Sequence, residues 1–445
     1  MTVVVPTSDD FDLLTKKVAD TNNRLAGVET DLNADDERLT RLEGLSVKER
    51  PWEQVPVSGG FNDAAVQDAM ASVLASKSGT VVQKTLVLPP GNYHLTRPLI
   101  DSAADNKEQL QGLRIVGQGK RVTNIYWDNS PISTGSLTDP MKNNFITAVR
   151  RLRFFNMSGF SAYSSNLQNN FAYLLSDSDG YNQAWNISDA EFSGNWNRVF
   201  GLDGGATANL NSEFHLDGIF TATNSVFQDA FFRSGGISGT YNQQNQFMNY
   251  WITNCGLTLS KGTVFRFDRG GSIRVQNGSY SAANATSGPI TWFYMPIGNY
   301  NNRAATQLSV RDVKFEPKAA NHKVIDCAWG SGTVTFEDCN DGGSIQNAAG
   351  MEYNLHRYAG QNPWGFGGTA PVVRYRSCFL AGYHLYEGPE MARGNIVYDG
   401  SYFFRGVNGT KANAVQGTST VLRWSGGAPK YRFQDCDNVD NQSNI

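Results

Sequence analysis

The chain has 445 residues, 40% hydrophobic and 18% charged, with 45 glycines against 15 prolines, a globular profile shifted toward the turn-rich usage of all-β proteins. A net charge of -3 gives no excess of Lys and Arg for a phosphate backbone, which excludes nucleic acid as the main partner. The first residues, Met1 to Asp10, lack the basic and apolar regions of a secretory signal, and no run of about 18 apolar residues exists to span a bilayer, so synthesis in a cytoplasm and exit by a route such as lysis are expected.

Residues 11–45 carry a heptad pattern, with Phe11, Val18, Leu25, Leu32 and Leu39 at a and Leu14, Thr21, Val28, Asp35 and Leu42 at d. A sustained period of seven favours a coiled coil over a single surface helix, whose apolar face would drift at 3.6. An apolar seam of this length also predicts self-association. Residues 49–60, with two prolines and two glycines, read as a linker. A short helix is expected at about 62–76, capped by Asn62 or Asp63 and apolar at Val66, Met70, Val73 and Leu74. Two strands closed by glycine turns follow, at Leu86–Leu95 and Leu113–Gly119.

The run Phe61-Asn-Asp-Ala-Ala-Val-Gln-Asp-Ala-Met70, then Leu88-Pro-Pro-Gly-Asn-Tyr93, then Leu113 to Gly119 with Thr123-Asn-Ile125, resembles the opening of pectate-lyase-type right-handed β-helices, as found in bacteriophage tailspikes and tail fibres. Phe-Asn-Asp stands where that family usually has Asp-Asp-Thr before the helix. The resemblance implies an all-β, right-handed parallel β-helix over 61–445, preceded by a virion-attachment segment and trimeric coiled coil over 1–48. It further implies a homotrimer on the virion tail, docked to a tail or baseplate protein through its N-terminus and binding host surface polysaccharide.

From residue 150 a degenerate repeat appears, two apolar residues in alternation followed by Asp, Asn, Ser or Gly. Its copies end at Asn156, Asp189, Gly218, Asn254, Asn277, Asp312, Asp338, Ser377, Gly400 and Asp435, spaced 23 to 39 residues apart, which suits coils of a solenoid. The apolar pair points inward, and the polar residue turns the corner in left-handed backbone. Stacking the copies aligns Asp217, Thr253, Gln276, Arg311, Glu337, Arg376, Asp399 and Gln434 in one outer column, with charges alternating from Arg311 to Asp399. The five cysteines, 255, 327, 339, 378 and 436, each follow a polar residue and read as buried thiols in one shared slot rather than as disulfides or metal ligands.

Cleavage of a glycosidic bond needs two carboxyl groups about 5 Å apart or about 6.5–9.5 Å apart, distances that neighbouring coils, or coils two apart, supply. Glu213 and Asp217 are the candidate pair, with Asp189 and Glu191 on the adjacent coil as alternative partners, because four residues of strand separate the first two by about 13 Å. Trp185, Trp196, Trp251, Trp292 and Trp364 are candidate platforms for sugar rings. The histidines at 94, 215, 322, 356 and 384 form no HExxH or His-x-His set, and no GxGxxG, P-loop or GxSxG pattern occurs, so neither metal nor cofactor is expected. Three functions stand open: a non-catalytic adhesin, a depolymerase acting as hydrolase or lyase, and a structural virion protein without a ligand.

Overall fold

The structure, a computed structural model, describes residues 16–19, 21, 53–101, 110–128, 143–149, 152–176, 182–204, 213–237, 248–268, 271–296, 307–342, 352–360, 371–388, 394–404, 413–415, 420–439 and 443. The chain divides into two units, Met1–Glu53 and Gln54–Ile445. In the first, residues 16–19 and 21 are helical, and the rest of the heptad segment lies outside the described residues. Among the described residues no helix is long and apolar enough to cross a membrane.

The second unit is a parallel β-helix. Its helix, Asp63–Ala75, starts where the Asn62 side chain accepts the Ala65 N–H at 3.1 Å, and Val66, Met70 and Val73 are buried beneath it. Asp63 also ties this helix to the first coil by accepting the backbone N–H groups of Thr96 and Arg97, both at 3.0 Å. Each coil then visits three parallel sheets in turn. The strand Trp185–Gly204 does so without interruption, pairing with residues 156–158 in the first sheet, 160–165 in the second and 170–176 in the third. A right-handed winding is the hand that strand twist favours for such crossovers.

The first sheet sets the register that the repeat predicts. Asp217 pairs with Thr253, Thr253 with Gln276, Gln276 with Arg311, Arg311 with Glu337, Glu337 with Arg376, Arg376 with Asp399 and Asp399 with Gln434. The corner between the first and second sheets is left-handed at Asp189, Asn254, Asn277, Asp312, Asp338, Ser377 and Asp435, with φ between 48° and 56°, and at Gly218 and Gly400. One predicted corner is misplaced. Asn156 pairs with Asn186 inside the sheet, so the residue opposite the Asp189 corner is Gly159, at φ 71°. Phe155 and Met157 are the inward residues of that coil, and Phe154 is 50% exposed instead of buried.

Four cysteines share a slot just past the corner. Cys255, Cys339, Cys378 and Cys436 each lie with Sγ 3.1–3.2 Å from the carbonyl two residues earlier. Cys327 is the exception, since it ends a strand of the third sheet and pairs with Met295 and Tyr358. All five are buried, and burial pushes the Cys327 thiol up to about 12.

The interior is a continuous aromatic column. Phe336 stacks on Tyr375, Tyr375 on Tyr398 and Tyr398 on Phe433, with centroids 5.3, 5.2 and 4.4 Å apart. Such pairs contribute about 0.5–1.5 kcal/mol each beyond the area they bury. Stability therefore accrues coil by coil, each resting on its neighbours.

Candidate ligand groove on the first sheet

Alternation leaves every second residue of the first sheet facing outward, and stacking turns those residues into rows. Asn186, His215 and Trp251 form one row on successive strands, and Ser188, Asp217 and Thr253 form the next. All of these but Ser188, together with Asn156, Phe154 and Ala184, line an open groove of about 630 Å³. Phe154 and Ala184 both hold left-handed backbone, at φ 55° and 51°. That conformation costs about 1–2 kcal/mol for a residue with a Cβ, and here it accompanies an exposed phenylalanine turned out of the core.

Polar groups in the groove are held in place. Asp217 accepts from the Thr253 hydroxyl at 2.8 Å and from the Asn254 amide at 2.7 Å. The Trp251 ring lies parallel to His215, with centroids 6.1 Å apart, while the Arg274 guanidinium sits 4.2 Å from its centroid. Arg274 follows Trp251 in the register as His215 precedes it, so the ring is flanked by a neighbour on each adjacent strand and offers its outer edge. The apolar plane open to a ligand is thus Phe154.

Several predicted site residues have other duties. Trp185, Trp196 and Trp292 are at most 1% exposed, because each occupies an inward position, and they are core residues rather than sugar platforms. Trp185 packs 4.4 Å from Phe155 and donates its indole N–H to the Leu152 carbonyl at 3.2 Å. Trp364 lies outside the described residues. Asp189 forms a corner and an ion pair with Lys120 at 2.8 Å, while Glu191 lies on the second sheet and pairs with Arg121 at 2.8 Å. Neither is thereby brought into the groove beside Asp217. Glu213 and Asp217 both sit on the first-sheet part of the strand Glu213–Thr221, before its corner at Gly218, and Glu213 lies 3.5 Å from His215 Nε2. Asp217 alone of the four lines the groove, and Phe154, Asn156, Asn186 and His215 are members that sequence reasoning missed. The adjacent pair Phe154-Phe155 gave no usable signal, since the like pair Phe231-Phe232 has both rings buried, and Phe154 is exposed because it sits in a left-handed bend between two strands.

The third sheet carries a second polar cluster. Asp229 pairs with Arg198 and Arg233 at 2.9 Å and with Arg266 at 3.1 Å, and Asp268 pairs with Arg233 at 2.7 Å and Arg266 at 2.9 Å. Burial would push the Asp229 carboxyl up, but the guanidiniums, Arg233 first among them, hold it below the ordinary carboxylate range. Carboxylates held in this way are poor proton donors, and the cluster reads as a strap across successive coils.

No family model matches the chain, and no curated protein matches it. Two solved structures are similar. One is the catalytic unit of a thermostable GH87 α-1,3-glucanase from Streptomyces thermodiastaticus strain HF3-3, 12% identical over 88% of this chain and 70% of that one, with a TM-score of 0.48. The other is the A-module of the mannuronan C-5 epimerase AlgE4 from Azotobacter vinelandii, 11% identical over 86% of this chain and 93% of that one, with a TM-score of 0.43. At such identities the likeness is one of chain winding.

Proposed function

We propose that the first-sheet groove binds an extended polysaccharide. The observation that carries this reading is the exposed, left-handed Phe154 beside rows of amide, imidazole, hydroxyl and carboxylate groups. A sugar ring presents an apolar face and a rim of hydroxyls, and the groove supplies a partner for each. Coils about 4.8 Å apart extend the outward rows along the axis, which suits a polymer better than a compact ligand. The groove's size lies within the usual range for ligand sites.

The heptads of residues 11–45 and the resemblance of residues 61–125 support placing this activity on a phage tail spike, as a homotrimer that adsorbs to host surface polysaccharide. Trimeric avidity would raise a weak single-site affinity. Calorimetry against purified surface polysaccharides, with gel analysis of chain length after incubation, tests both levels. Binding without shortening identifies an adhesin, and shortening identifies a depolymerase. No binding to any host glycan that supports adsorption would remove the proposal, and light scattering showing a monomer at micromolar concentration would remove the trimer.

A further inference from the structure

Toward its C-terminal end the core exchanges phenylalanine for tyrosine, histidine and aspartate. Asp341, His356 and His384 are 2%, 1% and 0% exposed. His356 and His384 are direct partners on successive strands of the third sheet, and their ring centroids lie 4.2 Å apart. Asp341 enters the same space from the second-sheet side of its coil, next to Asn340, which bridges to Phe379. One nitrogen of each imidazole and one carboxylate oxygen all lie within 4.8 Å of one another.

The hydrogen bonds sort these nitrogens. Nδ1 of His356 is paired with the Tyr375 hydroxyl at 2.8 Å, and Nδ1 of His384 with the Tyr398 hydroxyl at 2.8 Å. Nε2 is therefore the nitrogen left over on both rings. That of His356 lies 2.7 Å from Asp341 Oδ2, and that of His384 is buried with no hydrogen-bond partner among the described residues. The other Asp341 oxygen accepts the Ala381 N–H at 2.6 Å. Fixing an imidazole through its far nitrogen, and a carboxylate through its second oxygen, is how metal ligands are oriented. A buried Nε2 left idle is a desolvated polar atom without compensation, which native cores avoid.

We propose that Asp341, His356 and His384 bind one divalent transition-metal ion of the zinc class, taken up as the C-terminal coils close, so that the ion staples two coils of the third sheet to the turn bearing Asp341. Two imidazole nitrogens and a carboxylate oxygen suit zinc and its first-row neighbours, whereas calcium and magnesium take oxygen shells. Binding displaces the proton held between Asp341 and His356, which passes to solvent.

The test uses the full-length chain without a histidine tag, unfolded in chelator and refolded with or without Zn²⁺. Elemental analysis after gel filtration should give about one zinc per chain, together with a higher unfolding temperature than the zinc-free preparation. Refolding with Co²⁺ should give the visible absorption of a low-symmetry nitrogen and oxygen site. His384→Gln and Asp341→Asn should lose the ion, and the exposed His94→Gln should keep it. Wild-type protein that refolds equally well without zinc and holds less than about a tenth of an equivalent would overturn the proposal, as would zinc retained in both cluster variants. If those variants fail to fold, the wild-type stoichiometry and cobalt spectrum decide alone.

Discussion

Arg376 Nη1 lies 3.5 Å from Glu337 Oε1 on the neighbouring strand of the first sheet, while its Nε lies 3.9 Å from Asp399 on the other side. The arginine thus bridges two carboxylates stacked above and below it. Arg376→Glu would place three like charges in one column and should destabilise the protein by about 0.5–1 kcal/mol, since cross-strand pairs of this exposure are individually weak. The loss should appear as a lower urea midpoint at low ionic strength and shrink in about 1 M salt, where the screening length is about 3 Å. A midpoint unchanged at low salt would show that the column is electrostatically idle.

The corner residues give a second prediction. Ser377 holds φ 51° where its equivalents are mostly Asn, Asp or Gly. A β-branched side chain tolerates that backbone least, so Ser377→Val should fall below Ser377→Gly in stability by about 1–2 kcal/mol. Equal urea midpoints for the two variants would contradict the left-handed corner.

These corners explain why the first sheet was legible in the sequence. Alternation of apolar and polar residues, ended by a residue fit for left-handed backbone, has a period of two and a visible stop. Where two such runs overlap in opposite phase, Leu152 and Phe154 to Asn156 against Phe155 and Met157 to Gly159, the pattern slid to Asn156 and turned Phe154 the wrong way. The third sheet hides better. In Asn170–Ser176 every residue is buried, so nothing alternates, and the partners Arg198, Asp229 and Arg266 sit far apart in the chain. Tryptophans at inward positions cannot be told from platforms by composition, which is how Trp185, Trp196 and Trp292 came to be proposed as ligand contacts. His356 and His384 meet only through strand register, and their spacing of 28 residues matches no short motif.

Acid should destabilise the fold in two steps. His322 is held below its ordinary value by burial, and its Nδ1 accepts the N–H groups of Lys318 and Ala319 at 3.0 and 3.2 Å. Its folded form prefers the neutral ring, so its contribution is present above the unfolded pKa of about 6.5 and is lost as pH falls below it. Asp229, also depressed, contributes fully above about pH 4 and loses that contribution as pH falls through its lower folded value. Urea midpoints measured from pH 7 to pH 3 should decline across both windows. Asp229→Asn should cost about 3–5 kcal/mol at pH 7, because three guanidiniums lose their shared partner, and should flatten the lower window. A lower window equally steep in that variant would assign it to other carboxylates.

Binding in the groove should depend on Phe154 without the fold doing so. The side chain is 50% exposed, and removing it deletes little buried surface, so Phe154→Ala should leave the unfolding temperature nearly unchanged. Relief of left-handed strain is not expected, since alanine also carries a Cβ, whereas Phe154→Gly should stabilise slightly. If the ring is the apolar platform, either change should weaken polysaccharide binding about tenfold or more, equivalent to about 1.4 kcal/mol. Asn186→Ala, which removes a hydrogen-bonding group from the same groove, should cost less, about 0.5–1 kcal/mol. Trp196→Ala makes the contrast: it opens a cavity among Phe171 and Phe192 and should cost about 3–5 kcal/mol of stability, with affinity retained by whatever fraction stays folded. Calorimetry on folded protein separates the two effects, and a Phe154→Ala variant that binds as tightly as wild type would move the ligand site off this face of the β-helix.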